Sequence, residues 1–332
     1  MTFAWAPGAV TGIGSLPGTD QHDAVALVFG ELPELPHLPE LPARGVGADM
    51  IGRSAALLVD LPVELVPSGW RIAAHAGRDV RRGRDFLAWD LDALEAQAAG
   101  YVGPLKLQAA GPWTLAASLE LPSGHKLVSD PGAVRDLSAS LAEGIATHLA
   151  TVAARVPGAD LVLQLDEPSL PAVLEGRVQT PSGYGTVRAV EANIVEQALA
   201  AVLDVVPQGA RVVHSCAPRV PITLLRSAGA DAISLDAAML TPAHNDALGE
   251  AVDAGCSLWL GVLPATDTDI NLEAARSPIE RLWRELGFPA EQLGASVVAT
   301  PECGLAGASP AYVRRALSVL REVGNVLRDA WS

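Results

Sequence analysis

A chain of 332 residues that is 49% hydrophobic and only 18% charged has ample material for a large core. Its formal charge of −15 argues against nucleic acid and against an anionic membrane as partners, since both demand basic surface. The sequence has neither a long apolar run nor a basic-then-apolar start, and its three cysteines do not suit a disulfide framework, so a soluble, cytoplasmic protein is expected.

The segment Thr-Gly-Ile-Gly-Ser at 11–15 reads as a short first strand ended by Leu16 and Pro17. Gly12 and Gly14 match half of a dinucleotide fingerprint, but Pro17 stands where the third glycine belongs, and a Rossmann reading is rejected. A short helix is expected over 23–29. From Pro33 to Pro42 proline recurs at every third position, which forbids a helix and calls for an extended segment, with a strand near 37–41. Helical character returns over 48–59. Residues 60–90 read as an elaborated hairpin whose Arg78, Arg81, Arg82 and Arg84 alternate with Asp79 and Asp85 on a solvated face.

From residue 105 the rhythm is regular. Strands are predicted over 105–110, 161–166, 211–215, 232–236, 257–262 and 296–300. Between them come helices, the clearest carrying Val134, Leu137, Leu141, Ile145, Leu149 and Val152 at helical spacing, and the last carrying Val313, Leu317, Leu320, Val323 and Leu327. With the two N-terminal segments the strands reach eight. Alternation of short apolar runs with amphipathic helices then favours a (β/α)8 TIM barrel, a single domain over 1–332 with an irregular insertion in its first third.

The strands end in chemistry. The strand 161–166 ends in Asp166-Glu167-Pro168, 211–215 runs through His214 to Cys216, 232–236 ends in Asp236, and 296–300 leads to Glu302-Cys303-Gly304. Barrel enzymes build their sites at these carboxyl ends. Side chains at i and i+2 of a strand share a face, so His214 and Cys216 look into the same space. Together His214, Cys216, Asp236 and Cys303 form a nitrogen, sulfur, oxygen and sulfur set suited to zinc. Cys256 precedes an apolar strand and reads as a small buried hydrophobe.

Six motifs then carry a resemblance: Thr-Gly-Ile-Gly-Ser at 11–15, Gly-Pro-Trp-Thr at 111–114, Gln-Leu-Asp-Glu-Pro at 164–168, His-Ser-Cys at 214–216, Ile-Ser-Leu-Asp at 233–236 and Pro-Glu-Cys-Gly at 301–304. In this order they resemble the catalytic C-terminal barrel of cobalamin-independent methionine synthase, within the uroporphyrinogen-decarboxylase-like group, and the chain is similar to its short core versions. The resemblance implies a zinc-dependent methyltransferase that moves a methyl group to a thiol, homocysteine giving methionine. It implies that His214, Cys216 and Cys303 bind Zn2+, with Asp236 where the family usually has glutamate. It further implies Asp166 as the catalytic and substrate-binding carboxylate at the amino group, and backbone groups of Ile13 and Ser15 at the carboxylate.

One departure bears on the methyl donor. The family's histidine proton donor follows the seventh strand, and Pro264, Ala265, Thr266 and Asp267 contain none. The expected donor is therefore a methylcorrinoid, delivered by a corrinoid protein, rather than methyltetrahydrofolate. The alternatives are a corrinoid-dependent methyltransferase acting on another thiol, and a zinc- or thiol-binding relative without catalysis.

Overall fold

The computed structural model describes residues 2–331. Six parallel strands form one sheet in chain order: β1 (Gly103–Ala110), β2 (Ala159–Asp166), β3 (Arg211–Ser215), β4 (Ala232–Asp236), β5 (Ser257–Leu263) and β6 (Val297–Pro301). Each sits within two residues of its expected position. The helices between them cover the outer face. Pro131–Arg155 starts sharply because Asp130 accepts from the N–H groups of Gly132 and Ala133 and proline fills the first helical position. Its buried stripe contains the six apolar residues read from the sequence, and Pro310–Trp331 buries its own five.

The sheet has six strands and not eight. The segments expected as the first two strands make single parallel bridges instead: Val10 to Ala299, Ser15 to Glu40, and His37 to Lys106. The prolines explain this. Lys106 donates to the carbonyl of Pro36 and Leu38 donates to that of Lys106, but Pro36 and Pro39 have no N–H to extend the ladder. A second difference lies in residues 60–90, where a hairpin of Val63–Val66 and Gly69–Ile72 gives way to the helix Arg78–Gln97. The arginine cluster belongs to that helix, which buries Val80, Phe86, Leu87, Leu91 and Leu94.

Alternation along the strands separates two interiors. Leu163, Leu165, Val213, Ile233, Leu235 and Leu260 face the helices in the main apolar core. The opposite face begins with an apolar plug of Trp5, Ala9, Leu35, Val162, Val212, Ala232, Trp259 and Val298. Two residues further along each strand, on the same face, come Gln164, His214 and Ser234; two further still come Asp166, Cys216 and Asp236. Chemistry therefore sits above a polar layer, which rests on the plug. No helix among the described residues is long and apolar enough to cross a membrane.

Candidate metal centre

The strand ends bring three ligand side chains together. Ligand atoms of His214, Cys216 and Cys303 all lie within 4.8 Å of one another. His214 and Cys216 come from the end of β3 through the two-residue repeat of an extended chain. Cys303 arrives just past β6, on a turn held by Glu302, whose Oε1 accepts from the N–H of Ala265 at 2.8 Å. Gly304 follows because there is no room for a side chain: a Cβ there would lie 2.0 Å from Ser15 Oγ. Leu305 then donates to the Ser15 carbonyl at 2.8 Å, so the Cys303 loop and the segment holding Ser15 are packed as one unit.

The donor set fits zinc. His214 is buried, its Nδ1 lies 2.9 Å from Ser234 Oγ, and its Nε2 has no hydrogen-bond partner among the described residues. A buried imidazole nitrogen without a partner is costly unless it meets a ligand. The Sγ atoms of Cys216 and Cys303 are 3.4 Å apart as free thiols. The hydrogen bond from Cys216 draws Cys303 down to about 4, assisted by His214, while the same bond and burial push Cys216 up. The pair thus favours deprotonation of Cys303, and the thiolate is the form that binds metal.

Asp236 stands beside this group and not within it. Its Oδ1 accepts from the N–H of Ala238 at 2.8 Å, capping a short 3-10 turn, and burial raises its carboxyl above the ordinary range. Cys256 is remote from the three ligands in bonding: its buried thiol contacts the carbonyls of Ala230 and Ser257, each at 3.7 Å.

The residues expected at the substrate are linked through the polar layer. Gln164 Nε2 donates to Asp166 Oδ1 at 2.7 Å and to the Ile13 carbonyl at 2.9 Å. Burial pushes Asp166 up to about 7, against the pull of His214 and Lys106. Sequence reasoning missed Gln164, Ser234 and Lys106, although the first two lie two residues before a predicted site residue and share its face. It also left Glu167 without a role. That carboxylate is buried and accepts from Trp113 N–H at 2.9 Å, Thr114 N–H at 2.7 Å and Thr114 Oγ1 at 2.8 Å. It thereby caps the helix Pro112–Ser118, and a Cβ on Gly111 would meet it at 2.3 Å. The Gly-Pro-Trp-Thr and Asp-Glu-Pro motifs are two halves of one joint.

The comparisons with known proteins bear on this geometry. The model of the cobalamin-independent synthase catalytic domain matches residues 8–325. The chain belongs to that family. It is accordingly an enzyme of the methyltransferase class. Among solved structures it is similar to a B12-independent methionine synthase from Shewanella sp. W3-18-1 in complex with selenomethionine, at 15% identity and a TM-score of 0.63, with 98% of each chain covered. A GH5_18 protein from Streptomyces cattleya in complex with GlcNAc follows at 14% identity and a TM-score of 0.43, covering 98% of this chain and 81% of that one. The search of curated proteins finds no match. Membership of a cobalamin-independent family overturns the expected methylcorrinoid donor and the corrinoid protein partner. Nor is Asp267 an acid: Ser309 donates to both of its oxygens and lowers its pKa.

Proposed function

We propose that this protein is a zinc-dependent methyltransferase that methylates homocysteine to methionine from a donor that is not a corrinoid. The observation that carries the reading is the convergence of His214, Cys216 and Cys303 around an imidazole nitrogen with no other partner. Zinc, when bound, supplies a positive centre that favours the deprotonated form of a thiol reaching it. The reaction forms a sulfur–carbon bond, breaks the bond from the methyl group to its donor, and releases the thiol proton.

The chain's own residues place the substrate. Asp166, with Oδ1 anchored by Gln164, leaves Oδ2 to accept an ammonium group. Backbone of Ile13 and Ser15 receives the carboxylate at the other side, on a segment packed against the Cys303 loop. The amino acid is thus held at both ends with its side chain toward the sulfur ligands. Asp236, whose Oδ1 accepts from Ala238, is the candidate fourth ligand through its other oxygen. We read the bridged segments around Val10 and His37 as the two remaining staves of a barrel, and the chain as a single domain.

The test is methionine formation from homocysteine by the zinc-loaded protein, supplied with methyltetrahydrofolate in the absence of any corrinoid. Turnover is expected under these conditions and is expected to cease when zinc is chelated. Turnover only with a methylcorrinoid, or turnover indifferent to chelation, would refute the reading.

A further inference from the structure

Among the described residues Lys106 is the one lysine that the fold encloses completely, with 0% of its surface exposed. It lies on β1, paired in register with the plug residue Val162, and its Nζ meets the polar groups above the plug. A buried ammonium is expensive, and a methionine of similar length would fill the space without that cost. Its contacts indicate what it serves. Nζ donates to the Ile13 carbonyl at 2.8 Å and to Gln108 Oε1 at 3.3 Å. The same Ile13 carbonyl receives Gln164, which also holds Asp166. Gln108, paired in register with Gln164 on the neighbouring strand, donates to Glu40 Oε1 at 3.2 Å and to the Leu38 carbonyl at 2.6 Å. Glu40 in turn faces Arg53 at 3.8 Å, and Arg53 and Arg44 both pair with buried Asp90.

The formal charges in this buried chain cancel. Arg44, Arg53 and Lys106 stand with Asp90, Glu40 and Asp166, the last being the carboxylate that meets the substrate, so the site and its floor together carry formal charges of both signs and no formal excess of either. A floor of that kind suits a zwitterion, whose two charges also cancel, better than it suits a ligand of one sign. We propose that Lys106 is a positioning residue for the amino-acid end of the thiol substrate. By fixing the Ile13 carbonyl it holds the Ile13–Gly14–Ser15 backbone and, through Gln164, the Asp166 carboxylate in the arrangement that receives an α-amino acid. The inference rests on the substrate reading given above.

The experiment uses the full zinc-loaded chain and measures Kd by calorimetry for homocysteine and for 1-propanethiol, which has the same thiol stem and lacks the amino-acid end. Lys106→Met is expected to weaken homocysteine about 10- to 100-fold while leaving 1-propanethiol within about twofold and zinc content unchanged. An unchanged homocysteine Kd, or an equal loss for both thiols, would overturn the proposal. If Lys106→Met fails to fold, Lys106→Met combined with Glu40→Gln removes one charge of each sign, and the same two outcomes decide. If the unaltered protein binds homocysteine no more tightly than 1-propanethiol, it is the substrate reading that fails.

Discussion

His214 Nδ1 and Ser234 Oγ lie 2.9 Å apart on neighbouring strands, in register, while Nε2 of the same ring is buried with no hydrogen-bond partner among the described residues. When Nδ1 donates its proton to this hydroxyl, the ring is held in the tautomer whose Nε2 lone pair is free for a metal. Ser234→Ala removes that acceptor and lets the ring turn or change tautomer. The expected result is a fall in zinc affinity of about 10- to 100-fold, read by competition with a chromophoric chelator. Unchanged affinity would mean that packing alone orients the imidazole.

The three cysteines divide by environment. Cys216 and Cys303 face each other at 3.4 Å beside His214, whereas burial pushes the Cys256 thiol up to about 12 and leaves it against backbone carbonyls. Cys303→Ser replaces a thiolate by a hydroxyl that stays protonated and is a poor zinc ligand. Its zinc content should drop sharply below the roughly one ion per chain expected of the unaltered protein. Cys256→Ser should retain full metal. Equal loss in both variants, measured by elemental analysis, would undo the ligand assignment.

The sequence was most legible where periodicity met burial. All six sheet strands appear close to their expected bounds, and the long helices bury the predicted residues. The N-terminal third resisted because prolines suppress ladders without abolishing extended backbone, so a strand of the pattern became a single bridge. The helix Arg78–Gln97 hid for another reason: Gly83 and the buried Asp90 interrupt its apolar stripe. In the site, same-face alternation placed His214 beside Cys216 and needed only one step back to reach Ser234 and Gln164. What the sequence does not disclose is that Lys106, Glu40 and Asp90 are inside, since a charged side chain is ordinarily solvated whether it lies on a strand, a helix or a connecting segment. The donor is a different matter: the absence of a histidine after β5 points, on the sequence alone, to a corrinoid, and family membership reverses that inference.

His37 links the interior to acid stability. Among the described residues neither buried ring nitrogen has a well-formed hydrogen bond, and burial, reinforced by Lys106 and only partly offset by the backbone of Gly14, holds its pKa well below the ordinary 6.5. The folded state therefore keeps the ring neutral while the unfolded chain takes up a proton below pH 6.5. Stability from this residue is fully present above that value and declines as the pH falls beneath it, by up to about 1.4 kcal/mol per pH unit. His37→Leu should remove that slope. Denaturant titrations at a series of pH values between about 5 and about 7 compare the two. Parallel pH profiles for both proteins would show that His37 is neither neutral nor isolated in the fold.

Asp166 decides whether the ligand is an amino acid. Burial raises its carboxyl from 3.8 to about 7, so it carries its full charge only above that range. A neutral carboxyl offers an ammonium group no countercharge. Binding of an amino acid should therefore strengthen as the pH rises from about 6 to about 8. Methionine, the product, is the better probe for this, because it has no thiol whose own titration would overlap. Asp166→Asn keeps the shape and the hydrogen bond from Gln164 to the side-chain oxygen, but removes the charge. It should weaken methionine about tenfold or more at the upper end of that range and flatten the pH dependence. Zinc content should stay as it was, since Asp166 is not among the converging ligands. Calorimetric titrations of both proteins across the range read the affinity and its slope together. The same affinity and the same slope in the variant would return Asp166 to a structural role, with the ammonium held elsewhere or absent from the true substrate.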